Sequence, residues 1–274
     1  MNASSIAFVG GGNMAGSLVG GLLARGWRAT SIRVSDPEEA SLARLAHLGV
    51  ATFSDNAAAV SGADIVVLAV KPQMMRNACL DIREAVGVGR PLVISIAAGT
   101  AIASIATWLG EDTAVVRCMP NTPAMLQCGA TVLFANTHVR PEQRRVAHEV
   151  LESVGYAAWV NREELLHAVT ALSGSGPAYV FLLIEAMQRA GEMLGLDPEL
   201  AARLAGQTAL GAARMAREGD IDVIELRRRV TSPGGTTERA IRAFEQAGLR
   251  GIVETAMTAA CDRSRELADE GASG

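Results

Sequence analysis

Ile6-Ala7-Phe8-Val9-Gly10-Gly11-Gly12-Asn13-Met14-Ala15 is the stretch on which the reading of this chain turns. Ile6–Val9 reads as a short apolar strand and Met14–Arg25 as a helix, so the glycines occupy a strand-to-helix turn. Gly10, Gly12 and Ala15 match G-x-G-x-x-A. The first glycine permits a tight turn, and the second lets a pyrophosphate approach the backbone. The small third residue lets helix and strand pack closely, with free helix N–H groups facing the phosphates. A glycine-rich turn also occurs without a ligand, but the setting favours dinucleotide binding.

Outward from this turn, short β-branched runs alternate with helical patterns. Strands are expected at Ile32–Ser35, Ile65–Val70, Leu92–Ile96, Val115–Cys118, Thr131–Phe134 and Ala157–Val160. Helices are expected at Pro37–Leu48, Met74–Val86, Ile102–Leu109 and Pro141–Ser153. The alternation predicts an α/β domain over 1–161, a mainly parallel, doubly wound sheet. From 162 to 274 the strand signal stops and the pattern is all-α: Glu163–Leu172, Ala178–Leu194, Pro198–Glu218, Ile221–Arg229, Thr237–Ala247 and Arg250–Glu270. In Ala178–Leu194 the polar residues Glu185, Gln188, Arg189 and Glu192 form one narrow stripe, which predicts a helix buried on several sides. The small residues of the next helix suit close helix contact, within one chain or between two.

Composition narrows the function. The chain has 274 residues, 49% hydrophobic and 20% charged, with net charge −4 and pI near 5.7. That is a globular composition with no global reason to bind nucleic acid or an anionic membrane. No uninterrupted apolar stretch approaches ~18 residues, and the first apolar run reads as a strand rather than a signal segment. The four cysteines form no CxxC pair, and no Cys/His spacing suggests a metal site. A cytoplasmic protein with reduced thiols is expected. Lys71 is the only lysine among 25 basic residues, so a mechanism that needs a lysine in the C-terminal half is excluded.

Further candidates follow the strands. Asp36 ends the second strand, where an acid binds adenosine ribose hydroxyls and repels a 2′-phosphate; ahead of Pro37 it also reads as a helix cap. Arg33 and Arg44 are the nearest arginines. Ala69-Val70-Lys71-Pro72, Ser95-Ile96-Ala97-Ala98-Gly99 and Met119-Pro120-Asn121-Thr122-Pro123 end three more strands, on the edge where open parallel sheets bind ligands. The Asn121 amide could orient a nicotinamide. In the helical half, Ser173-Gly174-Ser175-Gly176-Pro177 and Thr231-Ser232-Pro233-Gly234-Gly235-Thr236-Thr237 put hydroxyls and free N–H groups before helices, natural places for a carboxylate. Ordinary capping is the alternative, and Thr237 reads as a possible N-cap.

Taken together, Gly-Gly-Gly-Asn-Met-Ala, Ala-Val-Lys-Pro, Arg117–Pro123, Leu172–Tyr179 and Thr231–Thr237 resemble pyrroline-5-carboxylate reductases, in order and over essentially the whole chain. The resemblance implies reduction of 1-pyrroline-5-carboxylate to L-proline with NADPH or NADH, the last step of proline biosynthesis. It implies a Rossmann domain and a helical dimerisation domain, as a homodimer that can assemble into a larger ring. It places coenzyme at Val9, Gly10, Gly11, Gly12, Asn13, Met14, Asp36, Asn56, Ala69, Val70, Lys71, Pro72 and Ala97. It places substrate at Glu163, Ser232, Gly234, Gly235, Thr236 and Thr237, to which the hydroxyl-rich turn adds Ser175. Many relatives carry a neutral or basic residue in place of Asp36. A cyclic iminium accepts hydride readily, so positioning by the Ser232–Thr236 backbone and the Thr237 hydroxyl suffices without a strong protein acid. A reductase of the hydroxyacid-dehydrogenase type would need the missing lysine. A non-catalytic nucleotide sensor would not turn over coenzyme with a cyclic imine.

Overall fold

A computed structural model of the chain describes residues 4–272. Its elements are β1 (Ile6–Val9), α1 (Asn13–Ala24), β2 (Ile32–Ser35), α2 (Glu39–Ala46), β3 (Ala51–Phe53), α3 (Asn56–Val60), β4 (Ile65–Leu68), α4 (Pro72–Gly89), β5 (Leu92–Ser95), α5 (Ile102–Leu109), β6 (Val115–Met119), β7 (Gly129–Ala135), α6 (Pro141–Glu152) and β8 (Gly155–Trp159). After these come α7 (Leu165–Val169), a π-turn at Thr170–Gly174, α8 (Gly176–Met193), α9 (Pro198–Glu218), α10 (Val223–Arg229), α11 (Thr236–Gln246) and α12 (Leu249–Ala272). Two compact units result: Met1–Ser175 with Ala260–Gly274, and Gly176–Ala259.

The first unit is built on an eight-stranded sheet in the order β3-β2-β1-β4-β5-β6-β7-β8. All neighbours are parallel except β6 and β7, where Cys118 faces Leu133 antiparallel. The expected doubly wound sheet is present. Alternation within β1 shows why helices cover both faces. Ile6 and Phe8 pack with Leu18 and Leu22 of α1 and Val150 of α6. Ala7 and Val9 pack with Met75 and Ile82 of α4 and Ile105 of α5. All four β1 residues are fully buried, as a central parallel strand requires. The order reverses between β1 and β4, which opens a crevice beyond their carboxyl ends. Two short elements were not expected from the sequence, β3 and α3.

The second unit differs from its expectation. The α8 helix was expected to be buried, yet in the single chain Phe181 is 64% and Leu182 66% exposed. Among the described residues of this unit, the only buried ones are Ala201 and Ala205. Within the continuous run Leu165–Met193 an 18-residue window is long and apolar enough, by length and composition, to cross a membrane. Polar residues interrupt the run, so it holds no unbroken apolar stretch of that length. So much exposed apolar surface needs a covering partner.

Candidate active site

The glycine turn is fixed from both flanks. Gly10 donates its N–H to the Ser35 carbonyl at 2.8 Å, and Ala69 donates to the Val9 carbonyl at 2.8 Å. Gly10 adopts φ +101°, and a Cβ there would lie 2.7 Å from the Ala69 carbonyl oxygen. Glycine is therefore required twice over, by backbone conformation and by the passing strand. At Gly12 a Cβ would meet nothing within 4 Å, so the face where a pyrophosphate approaches is open. Gly12 is the N-cap of α1 and offers no side-chain acceptor, which leaves the first helical N–H groups free for an anion. These features fit a dinucleotide.

Asp36 reaches back to this turn. Its Oδ2 accepts the Gly11 N–H at 2.6 Å and its Oδ1 the Glu38 N–H at 2.8 Å. It does not cap the next helix: α2 starts at Glu39 with Glu38 as N-cap. The two nearby arginines diverge. Arg33 donates to the Ser61 carbonyl at 2.6 Å, away from the turn. Arg44 donates to Asn13 Oδ1 and to the Gly11 carbonyl, each at 2.9 Å. Asn56 opens α3, where it accepts from Ser35 Oγ at 2.8 Å and donates to Asp81 at 3.1 Å. Lys71 is the exposed N-cap of α4 and makes no ion pair among the described residues. Val9 and Ala97 are buried at the ends of their segments. The glycine turn, Asp36, Ala69–Pro72 and Ala97, expected at the carboxyl ends of strands, lie there, and Asn56, named only through the resemblance, follows β3 at the same edge. Beside them a cavity of about 460 Å³ lies between Pro72, Gln73 and Arg76 of α4, the loop 98–100, and Leu267 and Glu270 of α12.

Asn121 is anchored at both ends of its amide. Its Nδ2 donates to the Ser173 carbonyl at 2.9 Å and its Oδ1 accepts the Ala130 N–H at 2.8 Å. The amide ties the β6–β7 turn to the π-turn and keeps one N–H and one lone pair.

Two groups hold Glu163, the Arg117 side chain and the Ile102 backbone. Arg117, on β6, is 6% exposed and donates to Glu163 Oε1 at 2.7 Å. The same oxygen accepts the Ile102 N–H at 2.9 Å, capping α5 from outside the helix. Glu163 Oε2 has no partner among the described residues. His167 Nδ1 lies 2.9 Å from Ser264 Oγ. Burial pushes the His167 pKa down from its usual 6.5, helped by Arg117 and Arg265 and opposed by Glu163 and Asp269. The unfolded chain therefore takes up this proton first as pH falls. Stability from His167 is fully present above pH 6.5 and is lost as pH drops through the lowered folded value. His167→Asn should flatten the acid limb of the urea midpoint against pH. An unchanged limb would show that His167 contributes nothing to it.

In the second unit, α11 begins at Thr236 with Gly235 as N-cap and no side-chain cap. Thr237 is thus the second helical residue, and the expectation that it caps α11 is corrected. Gly234 has φ +68° and donates to Glu238 Oε2 at 2.7 Å, while Gly235 donates to the Ser232 carbonyl at 3.0 Å. Ser175, at the end of the first unit, donates its N–H to the Thr170 carbonyl at 2.8 Å. Among the described residues no group of three or more His, Cys, Asp or Glu side chains could hold a metal ion.

A doubly wound sheet with an open glycine turn and an acid at the β2 end defines a dinucleotide-binding fold of the oxidoreductase class. Comparison with known proteins narrows the class. Residues 163–267 match the family model for pyrroline-5-carboxylate reductase dimerisation, and residues 5–99 match that for NADP oxidoreductases, coenzyme F420-dependent. The chain is 51% identical to the pyrroline-5-carboxylate reductase of Pseudomonas aeruginosa, covering 98% of this chain and 99% of that one. It superposes on a pyrroline-5-carboxylate reductase structure from Coxiella burnetii with TM-score 0.94 and 45% identity, covering 97% and 99%. A Plasmodium falciparum pyrroline carboxylate reductase with NADP bound matches with TM-score 0.85 and 28% identity, covering 98% and 99%. The chain belongs to the pyrroline-5-carboxylate reductase family.

Proposed function

We infer that this protein reduces 1-pyrroline-5-carboxylate to L-proline with NADPH or NADH, the last step of proline biosynthesis. The observation that carries the reading is the open glycine turn of a chain 51% identical throughout to a reductase of this name. When bound, the coenzyme supplies the hydride. The protein's part is positioning. The α1 N-terminus and Gly12 take the pyrophosphate, Asp36 takes ribose hydroxyls, and Asn56, Ala69–Pro72 and Ala97 line the remainder. The Ser232–Thr236 backbone takes the substrate carboxylate; Glu163 and Ser175 are assigned to the substrate by the family resemblance and the hydroxyl-rich turn alone. Thr237 Oγ accepts the N–H of the protonated imine, and the C=N carbon receives the hydride to give the amine. A neutral acceptor there leaves the iminium electrophilic. Oxidation of each reduced coenzyme, followed at 340 nm with pyrroline-5-carboxylate, tests the reading. No turnover with either coenzyme would overturn it.

The domain 162–274 serves dimerisation and substrate binding, and its dimers can close into a larger ring. The exposed apolar residues of α8 support this assignment. Sedimentation should give at least twice the chain mass at assay concentration, and Phe181→Asp should shift it toward monomer with loss of activity. A folded, active monomer would sink this part. A cytoplasmic location agrees with four free cysteines, two of them buried. Burial pushes the Cys79 thiol up to about 12 and Cys118 higher still, so neither is a thiolate at neutral pH.

A further inference from the structure

We propose that Arg44 receives the 2′-phosphate of NADPH, so that the β2 end carries one handle for each coenzyme. The proposal rests on the coenzyme reading above and goes beyond it by naming what decides between the two coenzymes.

Asp36 and Arg44 converge on the two sides of one peptide. Asp36 Oδ2 accepts from the Gly11 N–H at 2.6 Å, and Arg44 Nη2 donates to the Gly11 carbonyl at 2.9 Å. The carboxylate is pinned by two backbone N–H groups, with a second lone pair on each oxygen for a ribose hydroxyl. Taken alone, that arrangement favours NADH, because Asp36 repels a phosphate on the same ribose. Arg44 supplies the opposite charge at the same place.

The guanidinium is held in position without being neutralised. Its two hydrogen bonds go to neutral acceptors, Asn13 Oδ1 and the Gly11 carbonyl. They engage two of its five N–H donors, and the other donors remain. No carboxylate pairs with Arg44 among the described residues, whereas most helical arginines of this chain do form such pairs. It rests over the first turn of α1, 3.8 Å from where a Gly16 Cβ would stand, an ordinary packing distance. A planar, permanently charged fork is well matched to a phosphate monoester. Arg33, the other arginine near β2, is held at Ser61 and offers nothing here. A cation from the last turn of α2, rather than one following β2, thus offsets Asp36.

Calorimetric titration of the full-length protein with 2′,5′-ADP and with 5′-AMP tests this without turnover. Arg44 is exposed, so Arg44→Gln should fold and melt as wild type. It should weaken 2′,5′-ADP by about tenfold to a hundredfold, the worth of one charge-assisted contact, and leave 5′-AMP unchanged. Arg44→Lys should fall between, and Asp36→Ser should tighten 2′,5′-ADP. Equal weakening of both probes would overturn the proposal, since Arg44 would then act on the shared adenosine. So would an Arg44→Gln protein that binds 2′,5′-ADP as wild type does, or a wild type that binds only 5′-AMP. A wild type that binds neither probe and neither whole coenzyme would sink the coenzyme reading itself, a result distinct from the others.

Discussion

Thr237→Ala is expected to lower kcat/KM for the imine by roughly tenfold to a hundredfold, with coenzyme binding unchanged. The size follows from one hydrogen bond to a charged group, about 1.5–3 kcal/mol. The structure makes the test clean. The N-cap of α11 is Gly235, and Thr237 is its second residue, so deleting the hydroxyl removes no cap. Alanine is also the better helix former. The thermal midpoint should therefore hold while catalysis falls. Serine at 237 should restore most of the rate, because it returns an acceptor at the same Oγ. A wild-type kcat/KM in Thr237→Ala would show that this hydroxyl does not touch the imine.

Arg117→Met should cost about 3 kcal/mol of stability. Removing one member of a buried ion pair leaves the other charge uncompensated. Here the residual charge, Glu163, is 22% exposed and keeps the Ile102 N–H, which puts the loss at the low end of the usual range. Glu163→Gln should cost a comparable amount for the converse reason, because Arg117 is only 6% exposed. The double variant should be more stable than the two single losses combined would give. Urea unfolding at one fixed protein concentration measures all three, since subunit association shifts the midpoint. Strict additivity would mean that the two charges do not support each other. The same pair holds the start of α5, just after the loop that carries Ala97, so coenzyme affinity should weaken along with stability.

The local patterns were legible because each is written in neighbouring residues. β1, the glycine turn and α1 follow from Ile6–Arg25, and α9 spans Pro198–Glu218 as expected. In the structure Asp197 Oδ1 accepts the Glu199 and Leu200 N–H groups at 3.0 and 3.3 Å. β3 and α3 escaped notice because three and five residues are too few to establish a period. The direction of β7 is not a property of its own residues. The 3₁₀ turn Thr122–Leu126 and the left-handed Gln127 (φ 56°) return the chain directly beside β6, and that makes the pair antiparallel.

By itself, then, the sequence determined the doubly wound sheet, the glycine turn and the family, since these lie in short contiguous motifs in a fixed order. Tertiary structure decided which partners those motifs meet. Asn121, read as a ligand group, is bound at both ends by Ala130 and Ser173. Arg44 reaches Gly11 across 33 positions and Arg117 reaches Glu163 across 46, distances over which no periodicity carries information. Periodicity marked α8 as a helix that must be dry on most sides. It could not say against what, because burial depends on what lies across the interface, and within one chain Phe181 and Leu182 have nothing to cover them.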